Sequence, residues 1–228
     1  MAVTLAAVLI ATAQAADACW KEGVTLVCQD GDRKYRVIHE TPSPSGEYAI
    51  AWIPQDRKVT EDKFDKRNDA LNYDDGPVEN FLIRLADGKP LRKTRGTHWG
   101  DETDYNHTGQ ITLWSPDSAF MIEINDSKWL TPLADVYRIG KNGEVAGPFQ
   151  LMPFVRKAAL EHFRHAGKKV NASRYSDSVK IDDIGDDGAI KLQIIKQDGD
   201  FNFDMRIRAV QRGDTIDGRL ISLTPVAD

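Results

Sequence analysis

Cysteine is scarce in this chain, with two residues in 228, and excess charge of one sign is slight: 35 acidic residues stand against 30 basic ones, a formal net charge of −5. That balance offers no electrostatic footprint for nucleic acid, whose recognition needs a basic face. No apolar run reaches membrane-spanning length, so no integral membrane segment is expected in 17–228. Catalytic signatures are also missing. There is no Gly-x-Ser-x-Gly elbow, no Ser-x-x-Lys pair, no phosphate-cradling glycine loop and no dinucleotide fingerprint, so the best-marked hydrolase and nucleotide chemistries fall away and no cofactor is expected.

What is present begins with an apolar leader. Residues 1–16 carry no charged side chain and run through Val3, Leu5, Val8, Leu9 and Ile10 to Ala13-Gln14-Ala15, the pattern of a secretory signal cut after Ala15 or Ala16. Export places Cys19 and Cys28 where thiols oxidise, and a disulfide closing that short loop is expected to contribute about 2–3 kcal/mol. The alternative, Cys19 as an acylated residue, is poorly served by Ala16-Asp17-Ala18, which lacks the branched apolar residue three before the cysteine. A periplasmic or secreted protein is the expectation.

Segment 17–228 reads as a single β-rich domain. Val24 to Cys28 and Tyr35 to His39 form an N-terminal hairpin around Gln29-Asp30-Gly31-Asp32. Three related β units follow, at about 43–95, 111–149 and 184–223. They open on Ser43-Pro44-Ser45-Gly46, on Trp114-Ser115-Pro116-Asp117-Ser118 and on Gly185-Asp186-Asp187-Gly188. The spacing from Ser118 to Gly143 equals that from Gly188 to Gly213, as a shared unit would leave it. In the third unit Ile190, Leu192 and Ile194, then Phe203, Met205, Ile207 and Ala209, alternate with polar residues, the mark of half-buried antiparallel strands. Within the first unit 55–77 is polar and charged and reads as a solvated loop or a short helix. One amphipathic helix is predicted near 153–166, from Met152, Val155, Ala159, Phe163 and Ala166 at helical spacing, Pro153 at its start and Gly167 as its stop. Its other face, with Arg156, Lys157 and Arg164, is basic.

The Ser-Pro-Asp turn leading into an apolar strand, with a later strand reaching Asp-Gly or Asn-Gly, resembles the blade repeat of TolB-like and WD40-like β-propellers. That resemblance implies antiparallel meanders stacked around an axis, and it brings no catalytic residues because blade turns are structural. Closed propellers need about four or more blades, so the fold class expected is mainly β: meander units forming a partial or small propeller-like array, or a β-sandwich, with one helix.

The densest collection of functional side chains is 97–109. His98, Trp99, Asp101, Glu102, Asp104, Tyr105 and His107 are the candidate ligand- or partner-binding residues, placed just before a strand in a segment of loop composition. The gap between His98 and His107 matches no metal spacing, so no metal is assigned. Asp198-Gly199-Asp200-Phe201-Asn202 opens like a calcium loop but has Phe203 where glycine belongs and Ala209 where a bidentate glutamate belongs. Glu161-His162-Phe163-Arg164-His165 has its histidines at i and i+3, not the i and i+4 of a zinc-protease helix, and reads as a solvated basic face. Trp52 and Trp114 are read as core, whereas Trp20, Trp99 and Trp129 lie near polar turns. The functional expectation is an exported, non-catalytic binding or inhibitor-type protein acting on a protein or small ligand of the cell envelope through loops between β units. The alternatives are a hydrolase using the 98–107 loop and a structural component of the envelope.

Overall fold

Sixteen strands and one helix make up the described part of the chain, which in this computed structural model comprises residues 18–56, 58–59, 64–65, 70–71, 77–97, 109–126, 131–167, 177–196 and 203–226. The first sheet has six antiparallel strands in the order β1 (Cys19–Glu22), β2 (Thr25–Asp30), β3 (Arg33–Val37), β4 (Tyr48–Pro54), β7 (Val78–Arg84) and β8 (Lys89–Lys93). The N-terminal hairpin is therefore continuous with the first meander. Between β4 and β7, where a solvated loop or short helix was expected, β5 (Phe64–Asp65) and β6 (Ala70–Leu71) pair as two-residue strands. So short a ladder leaves no periodicity in sequence for pattern reading to detect.

The second sheet is the meander β9 (Gly109–Trp114), β10 (Phe120–Asp126), β11 (Leu133–Ile139) and β12 (Val145–Gln150). Helix α1 (Leu151–His165) follows without a break, and the third sheet is β13 (Asp177–Ile184), β14 (Ala189–Lys196), β15 (Phe203–Arg212) and β16 (Thr215–Pro225). The mainly β, antiparallel class with a single helix is thus realised. The helix starts with Pro153 in its first turn and ends where Gly167, at φ +70°, takes the left-handed conformation that closes it. Its apolar stripe of Leu151, Met152, Val155, Ala158, Ala159 and Phe163 is buried.

Alternation along the strands decides how the sheets stack. On β10, Phe120, Ile122 and Ile124 face a core shared with the third sheet and the helix, where Ile190, Leu192, Ile194, Phe203, Met205 and Ile207 point in. Met121 faces the other way, into a second core with Tyr48, Ile50, Trp52, Leu82, Tyr137 and Ile139 between the first and second sheets. On β4 every residue is buried, because Ala49, Ala51 and Ile53 enter a third cluster with Cys28, Tyr35, Val37 and Ile83. That cluster is enclosed by the first sheet itself, which curls until β2 reaches β8. A Cβ at Gly88 would stand 2.9 Å from the Gln29 carbonyl oxygen, so the approach requires glycine. The Cys19–Cys28 disulfide joins paired residues of β1 and β2 at the rim of this curl. Trp52 is fully buried, Trp114 donates from Nε1 to the Thr41 carbonyl at 2.9 Å, and Trp20 lies under the Lys34 ammonium.

The three opening turns share one geometry. The Gly46 amide donates to the Ser43 carbonyl, Ser118 to Ser115 and Gly188 to Gly185, each at 2.9 Å. The donors all have positive φ: +71° at Gly46, +61° at Ser118 and +73° at Gly188. The turns also meet one another. The Ser45 amide donates to Ser118 Oγ at 3.0 Å, and the Asp117 amide donates to Asp186 Oδ1 at 2.9 Å, so each turn is hydrogen-bonded to the next. Ser118 therefore tolerates a strained backbone for the sake of its hydroxyl. Ser118→Ala is expected to lower stability by about 1–2 kcal/mol, the usual effect of leaving a part-buried donor unpaired. Ser118→Gly loses the same bond but relaxes the φ, and is expected to recover about 1 kcal/mol of that loss. Urea midpoints of the two variants check the ordering, and equal midpoints would contradict it.

Candidate functional site: a buried carboxylate pair at the root of a polar segment

Glu123 of β10 and Asp135 of β11 stand opposite each other in the strand register, on the face of the second sheet that meets the first. They are 0% and 1% exposed. Burying an ionised carboxylate is costly unless hydrogen bonds replace its hydration, and Glu123 is surrounded by donors. The Thr94 hydroxyl reaches Oε1 at 2.6 Å, Gln110 Nε2 the same oxygen at 3.2 Å, the Gly96 amide Oε2 at 3.0 Å and the Tyr137 hydroxyl Oε2 at 3.5 Å. Asp135 is held by Arg95, whose Nε lies 2.7 Å from Oδ2.

Asn125, two residues along β10 and on the same face, completes the arrangement. Its Oδ1 accepts from the Thr97 amide at 3.0 Å, and its Nδ2 donates to the Thr97 carbonyl at 2.9 Å and to Gln110 Oε1 at 3.0 Å. From the first sheet, Asn80 Nδ2 donates to the same Gln110 oxygen at 3.2 Å, and the Thr94 amide donates to the Asn80 carbonyl at 2.9 Å. The backbone of 94–97 is thereby fixed against two sheets at once. Gly96 is required here, because a Cβ would run into the Glu123 carboxylate and come within 2.6 Å of Gln110 Oε1.

Electrostatics follow from this burial. Desolvation pushes the Glu123 carboxyl above its ordinary range despite the opposing hydrogen bonds from Thr94 and Gly96, and the neighbouring Asp135 pushes it the same way. Desolvation also raises Asp135, with Arg95 pulling against it. The Tyr137 phenol is pushed up by burial and by both carboxylates, so it stays neutral. Asn80 Oδ1 and Asp135 Oδ1 are buried without a hydrogen-bond partner among the described residues. Such groups cost about 1–3 kcal/mol each and gather at functional sites.

The network ends where the polar segment begins. His98, Trp99, Asp101, Glu102, Asp104, Tyr105 and His107 lie outside the described residues, as does the pseudo-calcium turn at Asp198 to Asn202. Thr97 and Gly109, which bracket 98–108, are described: Thr97 is gripped by Asn125, and Gly109 pairs with Asp126 as β9 begins. The sequence marks the polar segment but not the carboxylates of β10 and β11. The available signal was an acid inside each apolar strand, in Met121-Ile122-Glu123-Ile124 and Ala134-Asp135-Val136. His162 departs from the solvated face expected of it, packing edge-on against Phe203 at 5.3 Å between centroids. The basic residues Arg156, Lys157 and Arg164 line a groove of about 490 Å³ with Thr131, Pro132, Met152, Pro153 and Leu160.

A carboxyl whose folded-state pKa is raised stabilises the fold fully below its unfolded value, ordinarily 4.5, and loses that contribution as pH rises through the folded value. Wild-type stability is therefore expected to fall more steeply above about pH 5 than that of Glu123→Gln, in which Asp135 alone of the pair still titrates. Urea midpoints of both proteins between about pH 5 and 8 check this. The curves should converge or cross as pH rises, and parallel curves would contradict the assignment.

Compared with protein-family models, with curated proteins and with solved structures, the chain matches none, and its functional reading rests on the residues just described.

Proposed function

We propose that this chain is an exported, non-catalytic binding protein of the inhibitor type, which meets an envelope partner through segments between its β units, foremost 98–107. One observation carries the reading: buried Glu123 and Asn125 are spent on the backbone of 94–97, holding the root of that segment to two sheets. A binding segment mounted on a rigid base loses less entropy when it meets a partner. Glu123 is enclosed and surrounded by donors, which disfavours it as a general acid or base open to substrate.

The Cys19–Cys28 bridge supports an oxidising compartment, in keeping with 1–16 as a cleaved signal. Among the described residues no helix is long and apolar enough to cross a membrane. We further read the three sheets as a partial propeller of related units, supported by their shared turn geometry and by hydrogen bonds from turn to turn. In that reading the segments between units are the natural recognition elements.

The test is affinity capture from an envelope extract, with the oxidised chain compared against the combined variant His98→Ala, Trp99→Ala, Tyr105→Ala and His107→Ala. The expected outcome is one stoichiometric partner retained by the wild type and lost by the variant, at an unchanged melting temperature. Equal retention by both, or none by either, would overturn the proposal.

A further inference from the structure

Helix α1 carries Arg156, Lys157 and Arg164 against a single carboxylate, Glu161, in a chain whose formal net charge is −5. All three cations line a groove that runs between the helix and Thr131-Pro132, and Glu161 is not among its described lining residues. The cause is helical spacing: Met152, Arg156, Leu160 and Arg164 recur every four residues on one face, with Pro153 and Lys157 beside them. Cationic and apolar side chains thus share the same concave wall. Lys157 and Arg164 are exposed and form no ion pair with any described residue.

Both walls of the groove are firm. The helix is anchored from below by Leu151, Val155, Ala159 and Phe163. On the opposite side Thr131 is buried, and its hydroxyl accepts from the Val179 amide at 3.2 Å, tying that wall to the third sheet. A merely solvated basic face needs no such concavity. At about 490 Å³ the groove falls within the size range of small-molecule sites. Among the described residues its lining contains no aromatic ring to stack a base and no acidic side chain to hold a cation.

We infer that this groove binds a small amphiphilic anion, an apolar body lying along Met152, Pro153 and Leu160 with a carboxylate or phosphate head met by Lys157 and Arg164. Two donors of this kind fit either head, and the Arg fork in particular favours planar or tetrahedral oxyanions. The inference is independent of the partner proposed for 98–107.

Calorimetric titration of the full oxidised chain with decanoate, decyl phosphate, decanol and inorganic phosphate tests it. Saturable one-to-one binding of decanoate or decyl phosphate is expected, the tighter of the two identifying the head group. Decanol and inorganic phosphate should each bind at least about tenfold more weakly, because a hydrogen bond to a charged group and the burial of an alkyl chain each contribute that much. Combining Lys157→Gln with Arg164→Gln, both at exposed positions, should weaken decanoate or decyl phosphate by about tenfold or more at an unchanged melting temperature. In labelled protein the Met152 methyl resonance should move on titration while those of buried Met121 and Met205 stay in place. Decanol binding as tightly as decanoate, phosphate as tightly as its decyl ester, a double variant with wild-type affinity, or no saturable binding at all would each overturn the inference.

Discussion

A carboxylate with no exposed surface, Glu123, lies between two sheets whose contact is largely apolar, and the surrounding architecture follows from the need to hydrogen-bond it. An uncompensated charge there would cost several kcal/mol. Compensation comes from chain segments remote in sequence: Thr94 and Gly96 beyond β8, Gln110 on β9 and Tyr137 on β11. The path from the first sheet to the second must therefore pass over Glu123 before 98–108 can begin. Apolar contact between the sheets is non-directional, and this polar contact sets their register.

The stack is asymmetric about its middle member. The second sheet is covered on both faces, by the first sheet on one side and by the third sheet with helix α1 on the other. At one end the first sheet curls over its own third cluster, and the Cys19–Cys28 bridge pins the outermost hairpin against fraying. At the other end, alternate residues of β15 such as Asp204, Arg206 and Arg208 are exposed, so the third sheet turns a polar face outward. The turn-to-turn hydrogen bonds from Ser45 to Ser118 and from Asp117 to Asp186 link all three sheets along one line.

Much of this was legible in the sequence wherever one period dominated. The alternation in β14 and β15, the spacing of Met152, Val155, Ala159 and Phe163, and the Ser-Pro turns each carry their geometry locally. Glu123 and Asp135 were not legible as a pair, because both faces of β10 are buried and nothing local says which face meets which sheet. The curl of the first sheet depends on β2 reaching β8, a long-range contact with only a glycine to signal it. The groove likewise appears only when Thr131 and Pro132 come up beside a helix that starts at Leu151. Its basic residues were visible and their concave setting was not.

The central claim is that Glu123 and Asn125 together hold the root of the polar segment, and amide hydrogen exchange at Gly96 and Thr97 tests it most directly. In the wild type both amides should be strongly protected, since each donates to one of these side chains. In Glu123→Gln the Gly96 amide should exchange much faster, while the β10 and β11 amides keep their protection. Rapid exchange at Gly96 and Thr97 in the wild type, or protection at Gly96 indifferent to Glu123→Gln, would contradict the account.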